Sequence, residues 1–208
     1  MSPDCDISLA AIILAAGRSS RMGRPKLLLP WGKTSVLGHL LELWTKLPSN
    51  QIAVVCAPGD ALIQTELNRL AFPLEPRVLN PEPERGMFSS IQCAARWSGW
   101  KTTLTHWAIV LGDQPHLLPG TLTSLMTATA QNPGKICQPV HNGQPRHPVL
   151  LPRSAFERLQ RSEDETLKQF LHPMADNVTL IELNDPGLDL DIDHPEDYEK
   201  ALQFSFGK

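Results

Sequence analysis

The sequence is poor in cysteine, has no charge excess and lacks any long apolar run. Only four of its 208 residues are cysteine: Cys5, Cys56, Cys93 and Cys137. No two have the spacing of a Cys-x-x-Cys redox site or a zinc knuckle, so neither chemistry is expected. Cys56 ends an apolar run and Cys93 falls in a helical stretch, so both read as small buried hydrophobes. The 19 basic and 22 acidic residues leave a formal charge of −3. General nucleic-acid and membrane-surface binders carry a basic excess, and both classes are disfavoured. The longest apolar stretch, Leu9 to Ala16, is far too short to span a bilayer. Asp4 and Asp6 stand where a signal peptide would carry basic residues, so a reduced, cytoplasmic protein is expected. There is no internal repeat and no low-complexity segment. Length and composition predict one soluble domain over residues 1–208.

What is present alternates between strand and helix. Ser8–Leu14, Gln51–Cys56 and Trp107–Leu111 are continuous apolar runs, as in strands buried on both faces. Arg77–Leu79, Ile136–Pro139, Val149–Leu151 and Val178–Leu183 read as further strands. Ser35–Leu47, Ala61–Ala71, Met87–Trp97, Thr121–Ala130, Thr166–Leu171 and Pro195–Phe204 read as helices, the last opened by a proline in its first turn. This order predicts a three-layer α/β/α sandwich around a mostly parallel, Rossmann-like sheet. In such sheets, ligands bind outside the carboxyl ends of the strands. The two loops richest in special residues follow Leu14 and Leu111, at two such ends.

The first loop reads Leu14-Ala15-Ala16-Gly17-Arg18-Ser19-Ser20-Arg21-Met22-Gly23-Arg24-Pro25-Lys26. Its glycines allow tight turns and close approach of a ligand, and Ala15 and Ala16 keep side chains out of the way. Backbone N–H groups together with Arg18, Arg21, Arg24 and Lys26 would cradle phosphates. Five residues separate the glycines, and the lysine lies three beyond the second. That spacing fits neither a Walker A loop nor a dinucleotide-binding Gly-x-Gly-x-x-Gly turn.

This run, continuing through Lys26-Leu27-Leu28-Leu29-Pro30, resembles the signature of MobA-like nucleotidyltransferases, and most closely their cytidylyl-transferring branch. The resemblance implies the nucleotide-diphospho-sugar transferase type of fold. It implies that Leu14, Ala15, Ala16, Gly17, Arg18, Ser19 and Gly23 bind the nucleotide, and that Arg21 and Lys26 are catalytic phosphate-binding cations. Ala16 stands where the guanylyl branch carries glycine, which suits a smaller pyrimidine and favours CTP. Asp113, in Gly112-Asp113-Gln114-Pro115, matches the family's catalytic Mg²⁺-holding aspartate, and one or two carboxylates with phosphate oxygens and water suit that ion. In Asp189-Leu190-Asp191-Ile192-Asp193-His194-Pro195-Glu196-Asp197, alternation at a strand end would put Asp191 and Asp193 on one face. The family match makes Asp193 the second metal ligand, although His194 replaces the usual threonine; Asp197 reads instead as a first-turn helix residue. Gly86, Ser89 and Ser90 resemble a segment that contacts base or ribose, although either serine could simply cap a helix.

The acceptor half, residues 131–208, matches less closely than the nucleotide half, residues 8–130. In Gly143-Gln144-Pro145-Arg146-His147-Pro148-Val149, Arg146 occupies a place where the family has glycine. Gln114, Arg146 and His147 are the candidate acceptor contacts. The resemblance implies CTP as donor, molybdopterin as the phosphorylated acceptor, Mg²⁺ as cofactor, and a molybdoenzyme as a client. Two other readings stay open: a nucleotidyltransferase using GTP or another NTP with a sugar phosphate or other phosphorylated acceptor, and a non-catalytic nucleotide- or cofactor-binding chaperone for a molybdoenzyme. No Ser-His-Asp arrangement is visible.

Overall fold

A computed structural model describes residues 7–17 and 19–207; the expectations for Cys5 and Arg18 fall outside the described residues. The chain begins with β1 (Leu9–Leu14), then places a short hairpin, β2 (Pro30–Trp31) and β3 (Thr34–Ser35), before α1 (Val36–Lys46). β4 (Ser49–Cys56), α2 (Ala61–Arg69), β5 (Arg77–Leu79), α3 (Met87–Arg96) and β6 (His106–Leu111) follow. The second half runs α4 (Pro119–Gln131), β7 (Ile136–His141), β8 (Gln144–Pro145), β9 (Val149–Pro152), α5 (Arg153–Leu159), α6 (Leu167–Leu171), β10 (Val178–Glu182) and α7 (Pro195–Phe206).

One sheet crosses both halves in the order β10-β7-β9-β6-β1-β4-β5, with β8 paired to β7. β1 is parallel to both of its neighbours, with Ile12 opposite Ala53 on β4 and Ile109 on β6. β9 runs antiparallel between β6 and β7, and β8 is antiparallel to β7; the other strands share one direction.

The period of β1 divides the interior in two. Leu9, Ala11 and Ile13 point to a core built with α1, α2, α4 and α7, through residues such as Leu37, Ile63, Leu125 and Ala201. Ala10 and Ile12 point to a second core under α3, α5 and α6, with Ile91, Phe156 and Phe170. A strand with apolar residues at every position therefore needs helices on both faces, which gives the three layers.

Side-chain caps set several boundaries. The Ser35 hydroxyl accepts from the Gly38 N–H at 3.0 Å and opens α1; the Asp60 carboxylate accepts from the Ile63 N–H at 3.1 Å and opens α2.

Several expectations are corrected. α4 starts at Pro119, because proline is tolerated at a first helical position, so Pro119-Gly120 belongs to the helix rather than preceding it. α5 was missed: it follows β9 directly, with Pro152 flanking it and no cap side chain to mark its start. Cys93 is only half-buried, on α3 beside Asn80, whereas Cys56 is fully buried with its thiol pushed up to about 12, chiefly by burial. Asp191 and Asp193 do not follow a strand. They lie in irregular chain between a 3-10 turn (Pro186–Asp189) and α7. Among the described residues, no helix is long and apolar enough to cross a membrane.

Candidate active site

β1 is followed by β4 and β5 on one side, and β6 returns to its other side. Connections leaving in opposite directions open a crevice at the strands' carboxyl ends. Here the loops after Leu14 and Leu111 face each other. Their approach is close: a Cβ on Gly112 would stand 2.6 Å from the Leu14 carbonyl oxygen and 2.8 Å from Leu27 Cδ2. Only glycine fits there without displacing backbone.

The first loop is pinned by its apolar residues. Met22, Leu27 and Leu29 are buried in the core, while Gly17, Gly23 and Arg24 are exposed. Gly23 has φ +67°, in the left-handed region that favours glycine, and Ser19 at φ +49° is the other left-handed residue among the described residues of the loop. The Ser19 hydroxyl accepts from the Lys26 N–H at 3.2 Å and folds the loop back on itself. Ala15 is a core residue whose N–H donates to the Val55 carbonyl at 2.8 Å, which extends the β1–β4 pairing into the start of the loop.

This fold-back aims Lys26 into the crevice. Its Nζ lies 2.6 Å from Asp113 Oδ2 and 3.3 Å from Asp193 Oδ1. Arg21 Nη1 lies 2.6 Å from Asp193 Oδ2. The side chains of Lys26 and Asp113 are only 17% and 18% exposed, whereas Arg21 is 68% exposed. Solvent therefore screens the Arg21 pair heavily and the Lys26–Asp113 pair much less.

The acidic tail is held against this turn by its backbone. The Ile192 N–H donates to the Asp113 carbonyl at 3.1 Å, and Gln114 Nε2 donates to Asp191 Oδ1 at 2.8 Å. Alternation on a strand is thus replaced by a tether that still brings Asp191 and Asp193 beside Asp113. Their electrostatics diverge. Burial would raise the Asp193 carboxyl, but Lys26 and Arg21 overcome it and hold that group below the usual range. Asp191 opens to solvent on one side, yet desolvation and then the Asp113 charge push its carboxyl up.

Asp113 Oδ1 is buried and has no hydrogen-bond partner among the described residues. Such an orphan is costly unless something else satisfies it. With Asp193 it makes an all-oxygen donor set of the kind Mg²⁺ takes. No group of three or more His, Cys, Asp or Glu residues arranged around a metal position occurs among the described residues. The pair therefore fits an open site, whose remaining positions belong to phosphates and water, rather than a closed structural cage.

A cavity of about 220 Å³ lies beside this pair. Leu14, Ala16, Gly17 and Ser19 line it from the first loop, and Gly86 and Ser90 from the start of α3. Gly86, at φ +88°, makes the turn into that helix. Ser89 does not line this cavity, and neither serine caps the helix from its N-cap position. Buried Asn80 organises both: its Nδ2 donates to Ser89 Oγ at 2.8 Å and Ser90 Oγ at 2.9 Å. Asn80 was not singled out from the sequence; its position directly after a short strand and before a proline-rich turn was the available signal. A larger groove of about 1160 Å³ beside α5, lined by exposed residues such as Glu157, Arg158 and Arg161, shares no residue with this site.

The three candidate acceptor contacts already have partners within the chain. Arg146 is engaged by Asp189: Nε and Nη2 each lie 2.8 Å from Asp189 Oδ1. His141 Nδ1 and Asn142 Nδ2 reach Asp189 Oδ2, also at 2.8 Å. Burial would raise the Asp189 carboxyl, but these donors hold it low. Gln114 donates to Asp191 through Nε2, while its buried Oε1 has no partner among the described residues. His147 has Nδ1 3.4 Å from the Ile109 carbonyl oxygen and lines a neighbouring cavity, and burial lowers its imidazole. A second buried acid, Asp185, accepts from Thr121 Oγ1 at 2.7 Å and from the Gly187 N–H at 2.9 Å, and so fixes the chain leading to the tail.

The chain is 29% identical over 197 residues to the molybdenum cofactor cytidylyltransferase of Escherichia coli (strain K12), covering 94% of this chain and 96% of that protein. The crystal structure of Rv0371c from Mycobacterium tuberculosis H37Rv superposes with a TM-score of 0.77 at 26% identity, covering 95% of this chain and 98% of that one. A 4-diphosphocytidyl-2C-methyl-D-erythritol synthase shares the fold, with a TM-score of 0.70 at 16% identity and coverages of 95% and 99%. Residues 11–178 match the MobA-like NTP transferase domain, and the chain belongs to that family of nucleotidyltransferases.

Proposed function

We propose that this enzyme transfers CMP from CTP to the phosphate of molybdopterin, with Mg²⁺, and releases pyrophosphate. The observation that carries the reading is Lys26 bridging Asp113 and Asp193 at the mouth of the first-loop cavity. The reaction joins an acceptor phosphate oxygen to the α-phosphorus in line and breaks the bond from that phosphorus to the β-phosphate oxygen. The acceptor phosphate is already ionised, so no protein base or covalent nucleophile is needed. The chain's part is positioning and charge neutralisation. Lys26 and Arg21 exchange their carboxylate partners for triphosphate oxygens, and the Gly17–Gly23 loop cradles those phosphates through its N–H groups. Asp113 and Asp193 would then be the residues that hold the metal. Mg²⁺ bound there supplies further neutralisation of the phosphates. Ala16, buried at the cavity wall, favours a pyrimidine over a larger purine. The two halves work as one cytoplasmic domain, and a molybdoenzyme is the client that receives the product.

The test combines a thermal shift series with a turnover assay. A ligand that binds only the folded state raises its apparent stability. With Mg²⁺ present, CTP should raise Tm more than GTP, ATP or UTP, and molybdopterin plus CTP should release pyrophosphate. A GTP preference would overturn the Ala16 argument. Turnover only with a sugar phosphate would replace the acceptor.

A further inference from the structure

A second cavity, of about 530 Å³, adjoins the first and shares Met87 as a wall. Its origin is a shortage of helix. On the α6 face of the sheet, Ile136 on β7 stands opposite Val178 on β10, and the next row facing the same way pairs Gln138 with Leu180. Ile136 is fully buried and Val178 packs against the same core, under α6 and the turn after it. α6 has only five residues and leaves the next row open, so Leu180 is 56% exposed. Gln138 and Leu180 become a floor, Lys168 one rim, and Gln144 on the β7–β8 hairpin the other.

The chemistry of this cavity is mixed in a specific way. Leu180 and Met87 offer apolar surface of the kind a flat ring packs against. The Gln138 amide donates through Nε2 to the Arg146 carbonyl at 3.1 Å, which fixes its orientation and leaves Oε1 as an acceptor. Gln144 is exposed and can offer both donor and acceptor. Lys168 is exposed and makes no ion pair among the described residues. His147 lines the same cavity. A carbonyl only accepts, so the His147 nitrogen facing Ile109 carries the proton and the other is an acceptor. The cavity volume is that of a drug-sized ligand site. Arg146, by contrast, is held by Asp189 and is not among the lining residues.

We infer that this cavity, bounded by Met87, α6 and the Gln138–Leu180 row, is the acceptor subsite and takes a flat, amide-edged heterocycle whose phosphate reaches past Met87 toward Lys26. The inference rests on the nucleotidyl-transfer reading proposed above. It assigns acceptor recognition to Gln138, Gln144 and Lys168, and leaves Arg146 the task of fixing the hairpin wall.

Three variants test it in the full chain: Lys168→Ala and Gln144→Ala, both at exposed positions, and Leu180→Trp, which fills the cavity. Each should raise the molybdopterin KM about tenfold, with the CTP KM and the CTP-induced Tm rise unchanged. Unchanged acceptor KM in all three, with molybdopterin turned over normally, overturns the subsite and leaves the proposed reaction standing. If molybdopterin is not a substrate but another phosphorylated acceptor is, the proposed acceptor fails. The subsite then stands only if the KM of that other acceptor rises in the variants. Sedimentation of each variant adds a further arm. A dimer that dissociates in Leu180→Trp would give this face to a second copy of the chain and overturn the subsite.

Discussion

On the nucleotide side of the crevice, Lys26 and Asp113 sit on turns that leave two adjacent strands buried at every position but the last. On the acceptor side, Gln138, Gln144 and Lys168 come from a mid-sheet position, a hairpin and a five-residue helix. The first arrangement is stiff because Met22, Leu27 and Leu29 bury the loop's apolar residues and Gly112 lets the two turns touch. The second is held by polar contacts at its surface, chiefly the donors gathered on Asp189. Transfer chemistry needs atoms fixed within fractions of an ångström, whereas acceptor choice tolerates more variation. The difference assigns catalysis to the stiff side and specificity to the adaptable one.

The sharpest break in that comparison comes from Asp113→Ala. Loss of the carboxylate should lower kcat by about 10³-fold or more, as for removal of a central transition-state electrostatic group. Lys26 keeps Asp193 as a partner, so Tm should move little, and retained CTP binding would separate lost chemistry from lost fold. Lys26→Met should cost about 10²-fold in kcat and weaken CTP as well, because it removes a phosphate contact. A Lys26→Met enzyme with normal kcat would end the phosphate-binding role. Adding a chelator to the wild-type enzyme should abolish turnover, with recovery on adding Mg²⁺.

Gly112→Ala probes stiffness itself. Its Cβ would collide with the Leu14 carbonyl, so the two turns must part. Overpacking of this kind costs about 1–3 kcal/mol. For a chain of this size that lowers Tm by roughly 2–12 °C, measurable by calorimetry. Activity should fall more than the small stability loss explains, since the displaced atoms carry Lys26 and Asp113. The matching change on the acceptor side is Asp189→Ala, which frees Arg146, His141 and Asn142 together. It should raise acceptor KM about three- to tenfold and leave kcat within about twofold. The exchanged pair Arg146→Asp with Asp189→Arg should recover part of that loss. A fall in kcat as large as that of Gly112→Ala would erase the proposed division of labour.

The same division explains what was legible in the sequence. Leu9–Leu14 and Trp107–Leu111 announce themselves by unbroken apolar text, and the glycines and cations after the first stand in one continuous stretch. The three layers and the facing of the two turns followed from that. The acceptor side is written in pieces too short for periodicity: α6 has five residues, β8 has two, and α5 begins without a capping side chain. Gln138 and Leu180 meet only because β7 and β10 pair, and no local pattern carries that register. Arg146 read as a free cation because its partner Asp189 lies 43 residues away. The acidic tail reached its expected neighbour by another route. No strand alternation operates there; tethering of Ile192 to the Asp113 carbonyl holds the tail against the turn.

Asp191 offers the finest test, because it lies where the two sides meet. Gln114 joins it to the catalytic turn, and the Asp113 and Asp193 charges oppose its ionisation. Its folded pKa is raised, so the ionised carboxylate costs stability above that pKa. The cost shrinks as pH falls through the folded pKa and is gone below the ordinary aspartate value. Asp191→Asn keeps an acceptor for Gln114 and removes the charge. After allowance for solvent screening the gain is about 0.5 kcal/mol, or roughly 1–2 °C in Tm at neutral pH without metal. Scans at successively lower pH should bring the two proteins together. If Asp191 is instead a third metal-holding group, the variant will also lose Mg²⁺-dependent turnover by tenfold or more. An unchanged rate with a raised apo Tm would place Asp191 outside the metal site and leave Asp113 and Asp193 as its protein ligands.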